Sequence, residues 1–286
     1  MLTVETKKQV REAVTAARSR GLSIGLVPTM GYFHEGHLSL IRLSRSMSGY
    51  TVVSLFVNPA QFGPGEDFER YPRDLQRDAA LAVSAGADLL FAPEPSEMYA
   101  PDASTYVIEE AVSAGLCGAS RPGHFRGVAT VVAKLFGIVE PDVAVFGRKD
   151  LQQLAVIQRM ARDLDMRVRI VGAPIVREPD GLAMSSRNVY LTAEERARAP
   201  HFQRVLSGLA EQVRQAGPGR LADILDAARR RIETATGGRI DYLTAVDRDM
   251  AAVSQAGECM YIAAALFLGR TRLIDNVAVR PEEENV

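Results

Sequence analysis

His34 and His37 stand three residues apart in Pro28-Thr29-Met30-Gly31-Tyr32-Phe33-His34-Glu35-Gly36-His37-Leu38. A short apolar run, Leu22 to Val27, precedes them and reads as a buried strand. Leu38, Leu40, Ile41 and Leu43 follow at a spacing that suits a helix packed on one face. Both imidazoles therefore sit where a strand turns into a helix. Gly31 and Gly36 allow close backbone approach to a ligand. A helix start presents unpaired N–H groups and partial positive charge, which favour phosphate. Imidazoles beside such a site can donate to phosphoryl oxygens as charge builds during reaction. The chain has no G-x-x-x-x-G-K-[ST] and no G-x-G-x-x-G, so the arrangement is neither a Walker loop nor a dinucleotide fingerprint. A zinc pair is the competing reading, but H-E-x-x-H is absent and no Cys/His cluster supplies further ligands.

Four more polar clusters stand out, and the first two of them follow apolar runs. Asn58-Pro59-Ala60-Gln61-Phe62 comes after 51–57. Asn-Pro favours a turn, which accounts for Asn58 but not for Gln61. Neutral amides recognise a carboxylate or hydroxyl without placing a full charge nearby. Gly147-Arg148-Lys149-Asp150 ends the run Val143–Phe146. A lysine there is ordinarily solvated, although a flexible ammonium suits a moving phosphoryl group. Met184-Ser185-Ser186-Arg187 follows Asp180-Gly181, a hairpin-turn signal, and its hydroxyls and guanidinium suit phosphates. Arg121, His124 and Arg126 open a helix that either faces an anion or is capped through Gly123.

The elements that must position these residues alternate. Helical periodicity at Val10, Val14 and Ala17 stops near Gly21. Strands are expected at 22–27, 51–57, 89–91, 143–146 and 168–171, with helices after the histidines, at 75–83, 125–136 and 151–164. Strands separated by helices of this length predict βαβ units and a parallel sheet. Right-handed crossovers place the loops after the strands on one edge, where ligands bind. The clusters 30–37, 58–62 and 147–150 then share that edge and form one site. The character changes after Pro174. Thr192 to Glu195 is a capping box opening a helix toward Gln215, which Gly217-Pro218-Gly219 breaks. A second helix is expected at 221–235, then strands at 240–246, 259–268 and 271–279. The expected fold is a Rossmann-like α/β domain over 1–175 with a smaller α+β lid domain over 176–286, its tail Pro281–Val286 frayed.

The blocks P-T-M-G-x-x-H-E-G-H, F-V-N-P-x-Q-F, R-P-G-H-F-R-G-V, F-G-x-K-D and REPDGLAMSSRNVYL occur in order from about Gly25 to Leu191. Together they resemble the pantothenate synthetase family, within the wider His-x-Gly-His nucleotidyltransferase superfamily that includes class I aminoacyl-tRNA synthetases. The likeness continues more weakly through Asp241–Asp247 and the C-terminal strands. The resemblance implies ATP-dependent ligation of pantoate and β-alanine through a pantoyl-adenylate, with ATP as substrate, Mg²⁺, and a homodimer. It implies that His34 and His37 contact the ATP phosphates, His37 being the proton donor, with Met30 and Gly31 beside them. Gly147, Lys149 and Asp150 meet the nucleotide, Val176 contacts the adenine, and Met184, Ser185, Ser186 and Arg187 close over the phosphates. Asn58, Gln61 and Gln153 hold pantoate, Gln61 facing β-alanine as well, and Arg121 lies near the reacting groups. Asp78 stands near Mg²⁺ in that pattern, although an exposed helix residue is an equal reading of it. Arg148 replaces the Glu or Gln expected there, and either touches the nucleotide or points outward.

Composition agrees. The chain has 286 residues and is 47% hydrophobic, with 34 Lys+Arg against 35 Asp+Glu. No basic excess is available for a long nucleic acid. Cys117 and Cys259 make neither a disulfide framework nor a zinc pattern. The N-terminus lacks an apolar signal region, and the longest apolar run, 260–269, is too short to span a bilayer. A cytoplasmic enzyme without nucleic-acid or membrane partners is expected. The rivals are a nucleotidyltransferase acting on a phosphate and a nucleotide-binding module without turnover. The first leaves Asn58, Gln61 and Gln153 unexplained. The second does not need Lys149 together with both histidines.

Overall fold

The computed structural model describes residues 1–216, 219–255 and 260–280. The Gly217-Pro218 break, Cys259 and the acidic tail 281–286 lie outside them. In chain order the first half contains β1 (Leu2–Val4), α1 (Lys7–Ser19), β2 (Ile24–Thr29), α2 (Glu35–Met47) and β3 (Tyr50–Leu55), then α3 (Leu75–Ser84), β4 (Leu89–Phe91), α4 (Pro95–Met98), α5 (Leu116–Ser120) and α6 (His124–Val139). There follow β5 (Val143–Gly147), α7 (Leu151–Asp163) and β6 (Arg169–Ala173). Six strands form one sheet in the order β1-β4-β3-β2-β5-β6, and its strand pairs are parallel. Ile24, Leu26 and Val27 of β2 are fully buried, as a central strand covered on both faces must be. Helix α6 is apolar over most of its circumference, because it is wedged between the sheet and its neighbours. Val128, Ala129, Val132, Leu135 and Val139 are all buried. It approaches so closely that a Cβ on Gly127 would lie 2.2 Å from the carbonyl oxygen of Ala60.

The strand order reverses between β2 and β5. The chain winds outward through β3 and β4, then returns to the other side of β2. Such a reversal opens a crevice at the carboxyl ends of the strands. The histidine turn follows β2 and the Lys149 turn follows β5, so the crevice lies between them.

The second half contains α8 (Ala193–Arg198), α9 (Pro200–Gln215), α10 (Leu221–Thr236) and an antiparallel sheet β7-β8-β9 (Arg239–Val246, Met260–Leu268, Thr271–Arg280). The Thr192/Glu195 capping box forms as expected. The single helix expected from it is instead two, because Pro200 lacks an N–H and starts α9 afresh. Phe202, Leu206, Leu209 and Val213 of α9 pack with Ile232 of α10 against Ile262, Leu266 and Leu268 of β8. Val246, Met250 and Ala263 pack into the core of the parallel sheet. Edge strand β1 and the short helices α4 and α5 were not expected, being too short to show a period. Overall the fold is a Rossmann-like parallel sheet with a small C-terminal α+β unit. Among the described residues, no helix is long and apolar enough to cross a membrane.

Candidate active site

His34 is the N-cap of α2 and His37 its third residue, so one helix start carries both rings. Their centroids are 4.1 Å apart, and Phe33 packs on His37 at 5.4 Å. The turn before them is held by Asp78 on α3. Its carboxylate accepts the N–H groups of Tyr32 at 2.5 Å and Phe33 at 2.7 Å. Gly31 has φ 87°, and a Cβ there would sit 3.0 Å from Asp78. Asp78 is 0% exposed, so it is not the exposed helix residue allowed above. Its two oxygens are engaged by backbone, which suits it to shaping the histidine turn. Burial pushes this carboxyl above the usual range, while the two N–H groups and Arg77 pull it down.

His37 Nδ1 accepts the backbone N–H of His34 at 3.3 Å, which assigns the ring proton to Nε2. Burial, then nearby Lys149, pushes His34 down to about 4. Burial, then His34 and Lys149, holds His37 well below 6.5. Both rings are therefore neutral near pH 7, each offering one N–H. An arriving polyanion reverses the Coulombic contribution and raises both. His34 Nδ1 is buried with no partner among the described residues.

Met30, His34 and His37 line a cavity of about 200 Å³ between β2 and β5. Asn58 and Gln61 enter it from the turn after β3, Gly147 from the end of β5, Lys149 and Asp150 from the turn that follows, and Gln153 from the start of α7. Val176, Met184, Ser185, Ser186 and Arg187 close it from the segment after β6. The three polar clusters thus meet on one sheet edge. Gly31, Asp78 and Arg121 do not line this cavity. A neighbouring cavity of about 340 Å³ shares Lys149, Asp150, Gln153, Ser185 and Arg187 with it, and reaches Arg121, Asp241 and Arg272. His34 and His37 both line the smaller cavity and neither lines the larger.

Several residues have tasks that motifs alone do not reveal. Asn58 is 1% exposed and spends its amide on Gln61 Oε1 and the Gly127 carbonyl, while Tyr99 donates to its oxygen at 2.9 Å. It positions Gln61, whose own amide nitrogen lies 3.1 Å from Met30 Sδ. Arg121 binds Glu66 through both arms and reaches the Gln61 carbonyl at 3.3 Å. His124 Nδ1 is 2.9 Å from the same carbonyl, and burial followed by Arg121 pushes its ring down to about 4. Arg148 donates to the Gly172 carbonyl on the neighbouring strand at 3.0 Å. Lys149 Nζ is 3.4 Å from Asp150.

Asp180-Gly181 does form a tight turn, with Gly181 at φ 95° and an antiparallel bridge between Arg177 and Ala183. Ser186–Tyr190 continues as a short 3-10 turn docked on the parallel-sheet unit. Arg187 is paired with Asp67 at 2.8 and 2.9 Å and lies 5.4 Å over the Tyr71 ring. Asp67, Glu66, Tyr99 and Asn276 are supporting residues that the sequence reading missed. Only proximity in space marks them.

Three histidines held low have a consequence for stability. A ring whose folded pKa lies below its unfolded value contributes stability that is present above about 6.5 and lost as pH falls toward the folded value. For His34 and His124 that window runs from 6.5 to about 4. The urea midpoint is expected to fall steadily across it, and His124→Gln should flatten the slope. An unchanged slope in that variant counts against a buried neutral His124.

A parallel-sheet crevice with two neutral imidazoles, a lysine and a hydroxyl-rich closing segment defines an α/β enzyme of the nucleotide-activating His-x-Gly-His class. The match to known proteins is more specific. The family model "Pantoate-beta-alanine ligase" matches residues 2–278. A pantothenate synthetase from Moorella thermoacetica is 52% identical over 277 residues, covering 96% of this chain and 98% of that one. The crystal structure of pantothenate synthetase from Thermus thermophilus superposes with TM-score 0.92 at 47% identity, covering 98% of this chain and 100% of that one. The pantoate–β-alanine ligase of Francisella tularensis, solved in complex with beta-gamma ATP and β-alanine, gives 0.83 at 31% identity, covering 98% of each chain. The chain belongs to the pantoate–β-alanine ligase family.

Proposed function

We propose that the chain joins pantoate to β-alanine at the expense of ATP, in two steps within the smaller cavity. A pantoate carboxylate oxygen attacks the α-phosphorus of ATP. The bond from that phosphorus to the bridging oxygen breaks, and pyrophosphate leaves with the electron pair. The β-alanine nitrogen then attacks the acyl carbon of the pantoyl-adenylate. The carbon–oxygen bond to AMP breaks, and the amine proton is lost. The observation that carries this reading is the meeting of phosphate-type donors (His34, His37, Lys149) with neutral amides (Gln61, Gln153) in one cavity. The donors face developing phosphoryl charge, and the amides suit a small hydroxy acid.

In this reading His34 and His37 donate to the α-phosphoryl oxygens as charge grows there. Lys149 supplies the mobile positive charge beside them. Ser185, Ser186 and Arg187 hold the outer phosphates, for which Arg187 must exchange Asp67 for phosphate. Val176, whose carbonyl already accepts Met184 N–H at 3.1 Å, borders the adenine together with Gly147. Residues 176–286 act as a lid over 1–175. A closed lid protects the adenylate from water. The amine arrives through the larger cavity, past Arg121.

Mg²⁺ belongs to the same reading. It ordinarily takes one or two carboxylates together with substrate phosphates. Asp78 fits this poorly, because both its oxygens are engaged by backbone. Asp150 fits better, since it borders both cavities next to Lys149. Held there, the ion would neutralise charge on the leaving pyrophosphate. Among the described residues no cluster of three or more His, Cys, Asp or Glu forms a metal cage, in keeping with an ion brought by the nucleotide. A cytoplasmic location is part of the reading, because ATP is supplied there.

A homodimer is also part of it. Tyr106 and Ile108 are 47% and 61% exposed on the irregular segment after α4. Such a surface suits a second copy, and Ile108→Asp should shift sedimentation toward the monomer. The same sedimentation coefficient with and without the substitution counts against this face.

ATP–pyrophosphate exchange that requires pantoate tests the reaction directly. Exchange that proceeds with no acid, or equally with unrelated hydroxy acids, would overturn it. Within that assay, Gln61→Ala and Gln153→Ala should each raise the pantoate KM by about tenfold or more. Losing an amide from a small polar ligand costs roughly 1–3 kcal/mol. An equal or larger rise in the ATP KM would remove these amides from acid selection.

A further inference from the structure

Asp275 and Asn276 are neighbours on β9, far in sequence from every motif above. They are only 3% and 6% exposed. Asn276 Nδ2 donates to two backbone carbonyls at once, Arg148 at 2.9 Å and Lys149 at 3.1 Å. Those carbonyls belong to the 3-10 turn Arg148–Asp150 between β5 and α7. Asp275 accepts both arms of Arg177 at 2.7 and 2.9 Å and the N–H of Asn276 at 2.8 Å. Arg177 also donates to the Gly181 carbonyl at 3.2 Å. The hairpin held this way leads straight into Met184 and Ser185.

One dipeptide of the small sheet therefore ties down two segments. The first presents Lys149, and the second leads into the serines. Buried amide donors that satisfy two carbonyls are costly to lose, because the carbonyls then stay unpaired away from water. A lysine side chain is long and rotatable, so the reach of its ammonium depends on how firmly its backbone is anchored. A misplacement on the order of 1 Å at a reacting centre can cost about a hundredfold in rate.

We infer that Asn276 is a positioning residue for Lys149: its amide, clamped between the Arg148 and Lys149 carbonyls and braced by the Asp275–Arg177 pair, makes placement of the lysine depend on the seating of the C-terminal sheet. Asn276 acts through the turn and is not required to touch a substrate. The inference rests on the role given to Lys149 above.

The test is a double-mutant cycle, read by single-turnover formation of adenylate with enzyme in excess. That assay follows slow rates over hours, so a weak variant does not fall below detection. Asn276→Asp keeps the shape and removes both N–H donors. Asn276→Ser is shorter and keeps one donor, and it carries the same cycle if the first variant does not fold. Each is made alone and with Lys149→Gln. Circular dichroism and thermal unfolding check that the fold is retained. Alone, either substitution should lower the rate by roughly ten- to a hundredfold, with the pantoate KM changed less than about threefold. In the Lys149→Gln background the same substitution should change the rate less than about twofold. Equal losses in both backgrounds, or no loss alone, would overturn the inference. Failure of the unmodified chain to form adenylate from pantoate and ATP would instead overturn the reaction itself, so the two failures are distinguishable.

Discussion

His37→Ala is expected to slow adenylate formation on the order of a hundredfold or more, with His34→Ala close behind and the fold retained in both. Removing one donor aimed at developing oxyanion charge costs about 2.7–4 kcal/mol in comparable sites. The geometry supports an effect at this end of the range. His37 is held by Phe33 on one side and His34 on the other, and its Nδ1 is fixed by the His34 N–H. Its Nε2–H is therefore oriented before any substrate arrives, with no ordering left to do during reaction. Burial holds both rings neutral, so what is lost is a placed hydrogen bond and not a resident charge. The variants should keep their pantoate KM within a few fold while kcat collapses, because the interaction strengthens only as phosphoryl charge grows. Near-normal pyrophosphate exchange in either variant would take the histidines out of the mechanism.

Lys149→Ala should lower kcat by a comparable factor, again on the order of a hundredfold or more, while leaving stability almost unchanged. The side chain is 20% exposed and its ion pair with the half-exposed Asp150 is a 3.4 Å contact, so little of the fold depends on it. After burial, Lys149 is among the groups that depress both histidines, which is the electrostatic mark of its closeness to them. With a triphosphate present that positive charge becomes attractive and is worth more in a cavity that excludes water. Lys149→Arg should recover only part of the rate, because a planar guanidinium cannot follow a moving phosphoryl group as a compact ammonium does. Steady-state kcat and thermal unfolding on the same preparations check both halves. A variant that unfolds at much lower temperature, or one that turns over normally, contradicts the assignment.

Local chemistry made much of this legible in the chain. The strand–histidine–helix order follows from an apolar run, a glycine-rich turn and apolar residues at helical spacing. All three are properties of neighbours in sequence. The parallel sheet followed from alternation, and the shared edge from the handedness of crossovers. The capping box at Thr192 and the turn at Asp180-Gly181 are likewise local, and both are present. The family was readable because its blocks are long and ordered.

Tertiary structure decided what each polar residue spends its atoms on. Asp78 looked available from its sequence, yet both its oxygens are taken by the backbone of a turn more than forty residues earlier. Asn58 is engaged by Tyr99 and Gly127 from elements that no spacing rule connects to it. Asn276 carried no signal at all, since its partners lie more than a hundred residues away in the turn after β5. The protonation of the histidine pair was equally out of reach. It depends on burial and on the distance to Lys149, which come into being only when β2 and β5 are laid side by side. Periodicity and turn chemistry act between neighbours, so sequence determined the elements and their order. Hydrogen-bond partners and desolvation are set by the packing of distant segments, so only the folded molecule determined which groups remain free to meet a substrate.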